Sequence, residues 1–244
     1  MSGKQKANTD KLKEWIASKE KIVFFGGAGV STESGLPDFR SENGLYRQKF
    51  PYPPEYMLSR SFFEAHTEKF FEFYREKMIP HGILPNPAHK KLAEMEEKGK
   101  LKAIITQNID GLHQQAGSRT VYELHGSVHR NRCMKCGKFY DLSAVEKCTG
   151  IPLCTCGGVI KPEVVLYEET LPSDAWNGAV KALSAADLLI IAGTSLSVYP
   201  AANLINFYGG EKKVIIDLTA SLPANDNLLV IREKVGETLS KITL

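Results

Sequence analysis

The 244-residue sequence predicts an α/β fold in which a parallel sheet is covered by helices on both faces. Three observations carry that expectation. Short, nearly continuous apolar runs rich in β-branched residues alternate with helical patterns, as strands buried on both faces do. A glycine-rich loop, "GGAGVSTESG" from Gly26 to Gly35, follows the first of those runs directly. Two stretches, 41–79 and 130–160, interrupt the alternation, and the second carries all five cysteines.

Thr9 to Glu20 reads as an amphipathic helix with Leu12, Trp15 and Ile16 on one face. "IVFF", from Ile22, is the first buried strand and ends at Gly26. Ser61-Phe62-Phe63-Glu64 has the form of a capping box, opening a helix with Phe63, Phe70, Phe71 and Tyr74. Asn86-Pro87 starts a further helix, with Leu92 and Met95 inside and Gly99 as its stop. "AIITQ", "VVLY", "LLIIAG", "VIID" and "LLVI" follow as short apolar runs, with a helical pattern from Ser173 to Ala186 among them. The expected division is a Rossmann-like domain of residues 1–40, 80–129 and 161–244, with a smaller inserted domain of 41–79 and 130–160.

The apolar fraction of 43% and charged fraction of 24% are ordinary for a globular protein. A net charge of +3 makes no case for dedicated nucleic-acid binding, although a weakly basic surface suits acidic ligands. "MSGKQKANTDKLKEW" lacks the apolar centre of a signal peptide, and runs such as "LLIIAG" are too short to span a bilayer. A soluble, cytoplasmic protein is expected. In a reducing compartment, clustered cysteines read as metal ligands. Cys133-x2-Cys136 and Cys154-x-Cys156, with 17 residues between the pairs, suit one tetrahedral Zn2+. Four thiolates leave no open position, so such a zinc is structural. Cys148 could replace Cys154 or Cys156; a buried free thiol is its preferred reading.

Read as G-x-G-x-x-G, the loop gives Gly27, Gly29 and then Thr32 in place of the third glycine. Gly26, Gly27 and Gly29 would let backbone approach a pyrophosphate at a helix N-terminus, whose free N–H groups favour anions. Ser31 and Thr32 add hydroxyls. Taken alone, the loop fits a phosphate-binding turn and a ligand-free strand-to-helix turn equally. Hydride transfer is disfavoured: its fingerprint wants an acid about 20 positions on, after a second strand. Gln48 and Lys49 stand there instead. "GLPDFRSENGLYR", from Gly35, reads as a long loop able to close over a ligand.

Four stretches together resemble the sirtuin (Sir2-like) family, the NAD-consuming protein lysine deacylases. They are "GAGVSTESGLPDFR" (Gly27–Arg40), "TQNIDGLH" (Thr106–His113), "ELHGS" (Glu123–Ser127) and "GTSLSVYPA" (Gly193–Ala201). "KPEVVLYEE" looks like that family's substrate segment, which implies that Val165, Leu166 and Tyr167 hold the substrate. The resemblance implies that Gly27, Ala28, Gly29 and Thr32 contact NAD, and that Asp38, Phe39 and Arg40 belong to a flexible cofactor loop. Gln107, Asn108, Ile109 and Asp110 would line the nicotinamide and ribose pocket. Gly193, Thr194 and Ser195 would meet the adenosine side, as would Asp217 and Ile231. The family usually has Asn where Asp217 stands; an ionised Asp only accepts hydrogen bonds, here from ribose hydroxyls.

The implied reaction consumes NAD and gives free lysine, nicotinamide and O-acyl-ADP-ribose. It calls for a base near the ribose hydroxyls, and histidine suits because its unperturbed pKa lies near working pH. His125 matches the family's catalytic histidine, Asn108 would orient a water or ribose hydroxyl, and Asp110 would accept from the nicotinamide amide. His66, His81, His89, His113 and His129 read as packing or capping residues. The implied partners are acetylated-lysine proteins or peptides. Rival readings are protein ADP-ribosyl transfer and a zinc-ribbon binding module. Asp141 and Glu146 interrupt Lys135, Lys138 and Lys147, which argues against nucleic acid. Relatives that prefer succinyl- or malonyl-lysine carry a Tyr-x-x-Arg pair. The matching stretch "EFYREKM" gives Tyr74 with Lys77, a point charge in place of a bidentate fork. A neutral acetyl group is therefore the expected cargo.

Overall fold

The structure is a computed structural model that describes residues 3–39, 41 and 44–244. Arg40, assigned by resemblance to the cofactor loop, lies outside the described residues. The strands are β1 (Ile22–Gly26), β2 (Leu101–Thr106), β3 (Val121–Glu123), β4 (Gly126–Cys133), β5 (Phe139–Tyr140), β6 (Ile160–Val164), β7 (Leu188–Ala192), β8 (Lys212–Ile216) and β9 (Leu228–Ile231). The helices are α1 (Gly3–Ser18), α2 (Pro54–Met57), α3 (Arg60–Ala65), α4 (Thr67–Lys77), α5 (Pro87–Glu97), α6 (Leu112–Gln115), α7 (Ser143–Glu146), α8 (Ser173–Ala185) and α9 (Val235–Ser240).

Every residue of β1 and β7 is buried. These runs are apolar without alternation because helices cover both sides of the sheet they form. Successive side chains point to opposite faces. Phe24 and Ile190 pack with Leu12 and Ile16 of α1, Leu92 and Met95 of α5 and Leu239 of α9. Phe25 and Ile191 pack on the other face with Ala179 and Leu183 of α8. The strand order is β3-β2-β1-β7-β8-β9, with every neighbouring pair parallel. The chain builds outward from β1 through β3, then returns to β1's other side with β7 and builds outward again. The order therefore reverses between β1 and β7, whose ends Gly26 and Ala192 are paired. In open α/β sheets, ligands sit beyond the carboxyl ends of the strands at such a point.

A second sheet, β5-β4-β6, is antiparallel. Its core joins Phe62, Phe63, Phe70, Phe71 and Tyr74 of α3 and α4 to Val128, Val145, Ile160 and Leu166. The phenylalanine rings meet edge-on, as Phe63 and Phe70 do at 5.0 Å, while Tyr74 stacks on Phe70. No helix among the described residues is long and apolar enough to cross a membrane.

The structure corrects two local expectations and adds a strand. "VVLY" is not a strand of the main sheet: Val164 closes β6, and the run then leaves the sheet. Val165 N donates to His125 O (2.9 Å) and Tyr167 N to Leu58 O (2.9 Å), so these peptide groups are satisfied elsewhere. The main sheet instead gains β3, where Tyr122 pairs with Ile105. Ser61 is not the helix cap. Ser59 takes that role, accepting from Phe62 N at 3.1 Å, and the helix divides at His66. The cap of α5 is as expected and stronger, a full box in which His89 also accepts from Asn86 N.

Candidate active site

At the reversal point the glycines serve loop-to-loop packing. Gly29 N donates to Gly193 O at 2.9 Å. A Cβ on Gly29 would lie 2.7 Å from Gly193 Cα, and one on Gly193 would lie 2.4 Å from Val30 N. Gly193 also has φ +57°, a region costly to residues with a side chain. A Cβ on Gly27 would come within 2.8 Å of Gly193 O and of Thr194. The loop after β1 is thus held against the loop after β7. Two 3-10 turns, Ala28–Val30 and Thr32–Ser34, follow and leave Thr32 exposed.

Behind this loop lies a buried polar cluster. Ser31 Oγ donates to Asp110 Oδ2 (2.7 Å) and accepts from Asn108 Nδ2 (3.0 Å). Asp110 Oδ1 accepts from Leu112 N at 2.9 Å. Burial raises the Asp110 carboxyl pKa, while the Leu112 N–H and the Ser31 hydroxyl pull it back. Asn108 N donates to Thr106 Oγ1 at 3.0 Å. His89 reaches the same serine. Its Nδ1 accepts from Asn86 N, so in the neutral ring Nε2 carries the proton and faces Ser31 Oγ at 3.5 Å. Burial pushes the His89 pKa down to about 4, so the ring is neutral near pH 7. His113 lies edge-on to His89 at 4.7 Å, fully enclosed, with neither ring nitrogen partnered among the described residues. Sequence reasoning set His89 aside; the one signal that could have found it is its place in the Asn86-Pro87 capping box.

His125 occupies the turn between β3 and β4. Gly126 makes that turn possible, since at φ +76° any Cβ would lie 1.7 Å from Glu163 O in the β4–β6 ladder. His125 Nδ1 is 3.0 Å from Gln107 O. A carbonyl only accepts, so Nδ1 carries the proton and Nε2 keeps its lone pair. Burial lowers the His125 pKa, and the bond to Gln107 offsets part of that shift. Gln107 Oε1 accepts from Thr194 Oγ1 at 3.1 Å, tying the loops after β2 and β7 together. Gln107 Nε2 is buried and has no partner among the described residues. Such a donor calls for an acceptor, and a ribose hydroxyl would supply one.

The remaining expected residues lie around this centre. Leu45 N donates to Asp38 O (2.8 Å) and Tyr46 N to Phe39 O (2.9 Å), so the loop doubles back on itself. Tyr46 Oη stands 2.8 Å from Tyr167 Oη, which closes the loop onto the segment expected to hold substrate. In that segment Val165 is half-buried, Leu166 is packed in the second core at 3% exposure, and Tyr167 is 39% exposed. Ile109 packs beside that core, and its carbonyl accepts from Val128 N at 3.0 Å. Ser195 Oγ is 2.6 Å from Ser197 Oγ. Asp217 follows β8, and its Oδ1 accepts from Thr219 N (2.8 Å) and Thr219 Oγ1 (2.7 Å). Ile231 ends β9 with its side chain in the main core, so only its main chain can face a ligand.

The Sγ atoms of Cys133, Cys136, Cys154 and Cys156 lie within 4.8 Å of one another. Cys133 and Cys156 are 3.4 Å apart, Cys136 and Cys154 3.6 Å. Sulfurs about 2.3 Å from a tetrahedral zinc stand roughly 3.8 Å apart, so the donor set fits a structural Zn2+. Gly158 shapes the knuckle, because a Cβ there would lie 2.7 Å from Cys133 Sγ. Tyr140 Oη donates to Cys154 Sγ at 3.0 Å. Cys148 is outside the cluster, its Sγ on Thr149 O at 3.4 Å.

The fold and site define a Rossmann-like α/β protein with a buried polar cluster and a histidine, His125, beyond the carboxyl ends of its strands, and a four-cysteine knuckle fit for a metal. Residues 27–200 match the model of the Sir2 family, and the chain belongs to that family. It is 59% identical over 237 residues to an NAD-dependent protein deacetylase of Clostridium acetobutylicum, covering 96% of this chain and 97% of that one. A solved structure of Sir2 with a p53 peptide and NAD+ is similar at TM-score 0.80 and 38% identity, covering 95% of each chain. Another, of Sir2 with an inhibitor, 2'-O-acetyl-ADP-ribose and a deacetylated p53 peptide, is similar at TM-score 0.80 and 38% identity, covering 94% of this chain and 95% of that one.

Proposed function

We propose that this chain is an NAD-dependent protein lysine deacetylase that consumes NAD and one water and yields free lysine, nicotinamide and O-acetyl-ADP-ribose. The observation that carries the reading is the state of His125: its Nδ1–H on Gln107 O leaves Nε2 a neutral base beside the loop after β2, at the carboxyl ends of the strands. Bound NAD would supply an electrophilic ribose carbon with nicotinamide as its leaving group. His125 Nε2 would accept the proton of a ribose hydroxyl. Asn108, fixed through Ser31, orients a water or ribose hydroxyl with its carbonyl oxygen. Asp110 keeps a lone pair on each oxygen for the amide of nicotinamide. Gln107 Nε2 would donate to a ribose hydroxyl, which would satisfy its orphaned N–H.

Gly27, Ala28, Gly29, Thr32, Gly193, Thr194 and Ser195 would hold the phosphates and adenosine. Asp217 would add Oδ2, since Oδ1 is engaged with Thr219. Asp38, Phe39 and Arg40 would cover the cofactor, with Ile109 beside the nicotinamide. Val165, Leu166 and Tyr167 would hold the acyl-lysine peptide, Leu166 through its main chain. The zinc would brace the smaller domain of 41–79 and 130–160; a separate second core supports such a domain, although it also takes in Val128, Val164 and Leu166 from beyond those bounds. A thiolate-bound zinc also favours a reducing compartment, hence the cytoplasm.

Incubation with NAD and an acetyl-lysine peptide tests the reading, with release of nicotinamide and O-acetyl-ADP-ribose expected by mass spectrometry. His125→Ala should cut kcat/KM by at least about 100-fold with an unchanged circular dichroism spectrum. Substantial turnover by that variant would remove His125 from the mechanism. ADP-ribose left on protein, without deacetylated peptide, would favour the transferase alternative.

A further inference from the structure

Among the described residues, Glu168 and Leu196 are the two with side chains that adopt a left-handed backbone; Glu168 has φ +74°. That conformation is unfavourable for residues other than glycine and persists where the surroundings fix it. At Glu168 the surroundings are the first turn of α3. Glu168 Oε2 accepts from Ser61 N (2.9 Å) and Oε1 from Ser61 Oγ (2.9 Å). One residue earlier, Tyr167 O accepts from Arg60 N at 3.0 Å. The third N–H of the turn, on Phe62, goes to Ser59 Oγ. Two of the three free N–H groups that open α3 are thus engaged by residues outside the helix. On the other flank, Glu169 Oε2 accepts from Leu166 N (2.9 Å) and Lys161 Nζ (3.1 Å). The segment from Val165 onward is pinned residue by residue, with Glu168 as its turning point.

We propose that Ser61 is a positioning residue for the acyl-lysine substrate, its N–H and hydroxyl holding Glu168 in the left-handed turn that sets the line of Val165–Tyr167. This rests on the deacetylase reading, in which Val165–Tyr167 is the peptide-binding edge. Removing the Ser61 hydroxyl takes away one of the two bonds to the Glu168 carboxylate and lets the turn relax toward right-handed or extended backbone. Tyr167 then leaves its place beside α3. Ser61 and Glu168 lie outside the loops after β1, β2 and β7, and Tyr167 meets the loop after β1 only through its hydroxyl on Tyr46, so the effect should fall chiefly on the peptide and far less on NAD.

Steady-state kinetics of the full chain test this. In Ser61→Ala, KM for an acetyl-lysine peptide should rise about tenfold, equivalent to about 1.4 kcal/mol. KM for NAD and kcat should stay within about twofold of wild type. Glycine adopts φ +74° without a clamp, so adding Glu168→Gly should bring the peptide KM back toward wild type. A purely structural role for Ser61 would lower Tm in both variants and allow no such rescue. A peptide KM that is unchanged in Ser61→Ala, or raised and not rescued, overturns the inference while wild-type turnover leaves the deacetylase reading standing. A wild-type chain that turns over neither NAD nor peptide overturns that reading, and the inference with it.

Discussion

The ring of His125 has one nitrogen committed, Nδ1 on Gln107 O, and burial makes its protonated form costly. The working form is the neutral ring, so activity should fall as pH drops through the pKa of this group. Because that pKa is lowered, the acid limb of kcat/KM should lie below the ordinary histidine value of about 6.5. A pH profile of the free enzyme checks this, and a limb at or above that value would contradict the tautomer and burial described. His125 is legible in the sequence because it sits inside a local motif. Ser31 and His89 are not legible as a pair. What joins them is a ring with one nitrogen capping α5 and the other facing the loop after β1, which only the packing of that helix decides.

Among the elements, the cysteine knuckle is the most local and was readable down to one alternative: spacing left Cys148 as a possible substitute for Cys154 or Cys156, and the clustering of the four sulfurs leaves it out. Cys133→Ser should lose the metal and destabilise the second core, because metal binding is part of its folding free energy. Cys148→Ser should keep one zinc per chain. Metal analysis and thermal unfolding of the two variants check this, and a zinc-free Cys148→Ser protein would overturn the ligand set. β1 and β7 were readable as buried five-residue apolar runs. "VVLY" has the same composition, and a β-branched run does not say which sheet receives it; the carbonyls of His125 and Leu58 do. β3 was missed because it is three residues at the sheet's edge, two of them only half-buried. Ser61 satisfied a local capping rule, but Glu168, 107 residues away in sequence, takes its hydroxyl.

At the scale of the whole molecule, the second core bears on which acyl groups the proposed deacetylase would accept. Tyr74, the expected partner of an acyl carboxylate, is fully buried, stacked on Phe70 at 5.6 Å, with its hydroxyl enclosed. Lys77 Nζ pairs with Glu76 at 2.8 Å and lies 5.8 Å over the Phe50 ring. Neither is poised to meet a second negative charge. Matched peptides should therefore give a kcat/KM at least about tenfold higher for acetyl- than for succinyl-lysine, whose carboxylate would be buried without a partner. Equal values would overturn this ranking. The contact between Gly29 and Gly193 has a different kind of consequence. Both partners are already the smallest residue there is, so neither can shrink to accommodate growth in the other. No compensating double substitution exists at that spot, in contrast to Tyr199 and Leu218, which at 68% and 63% exposed have room around them.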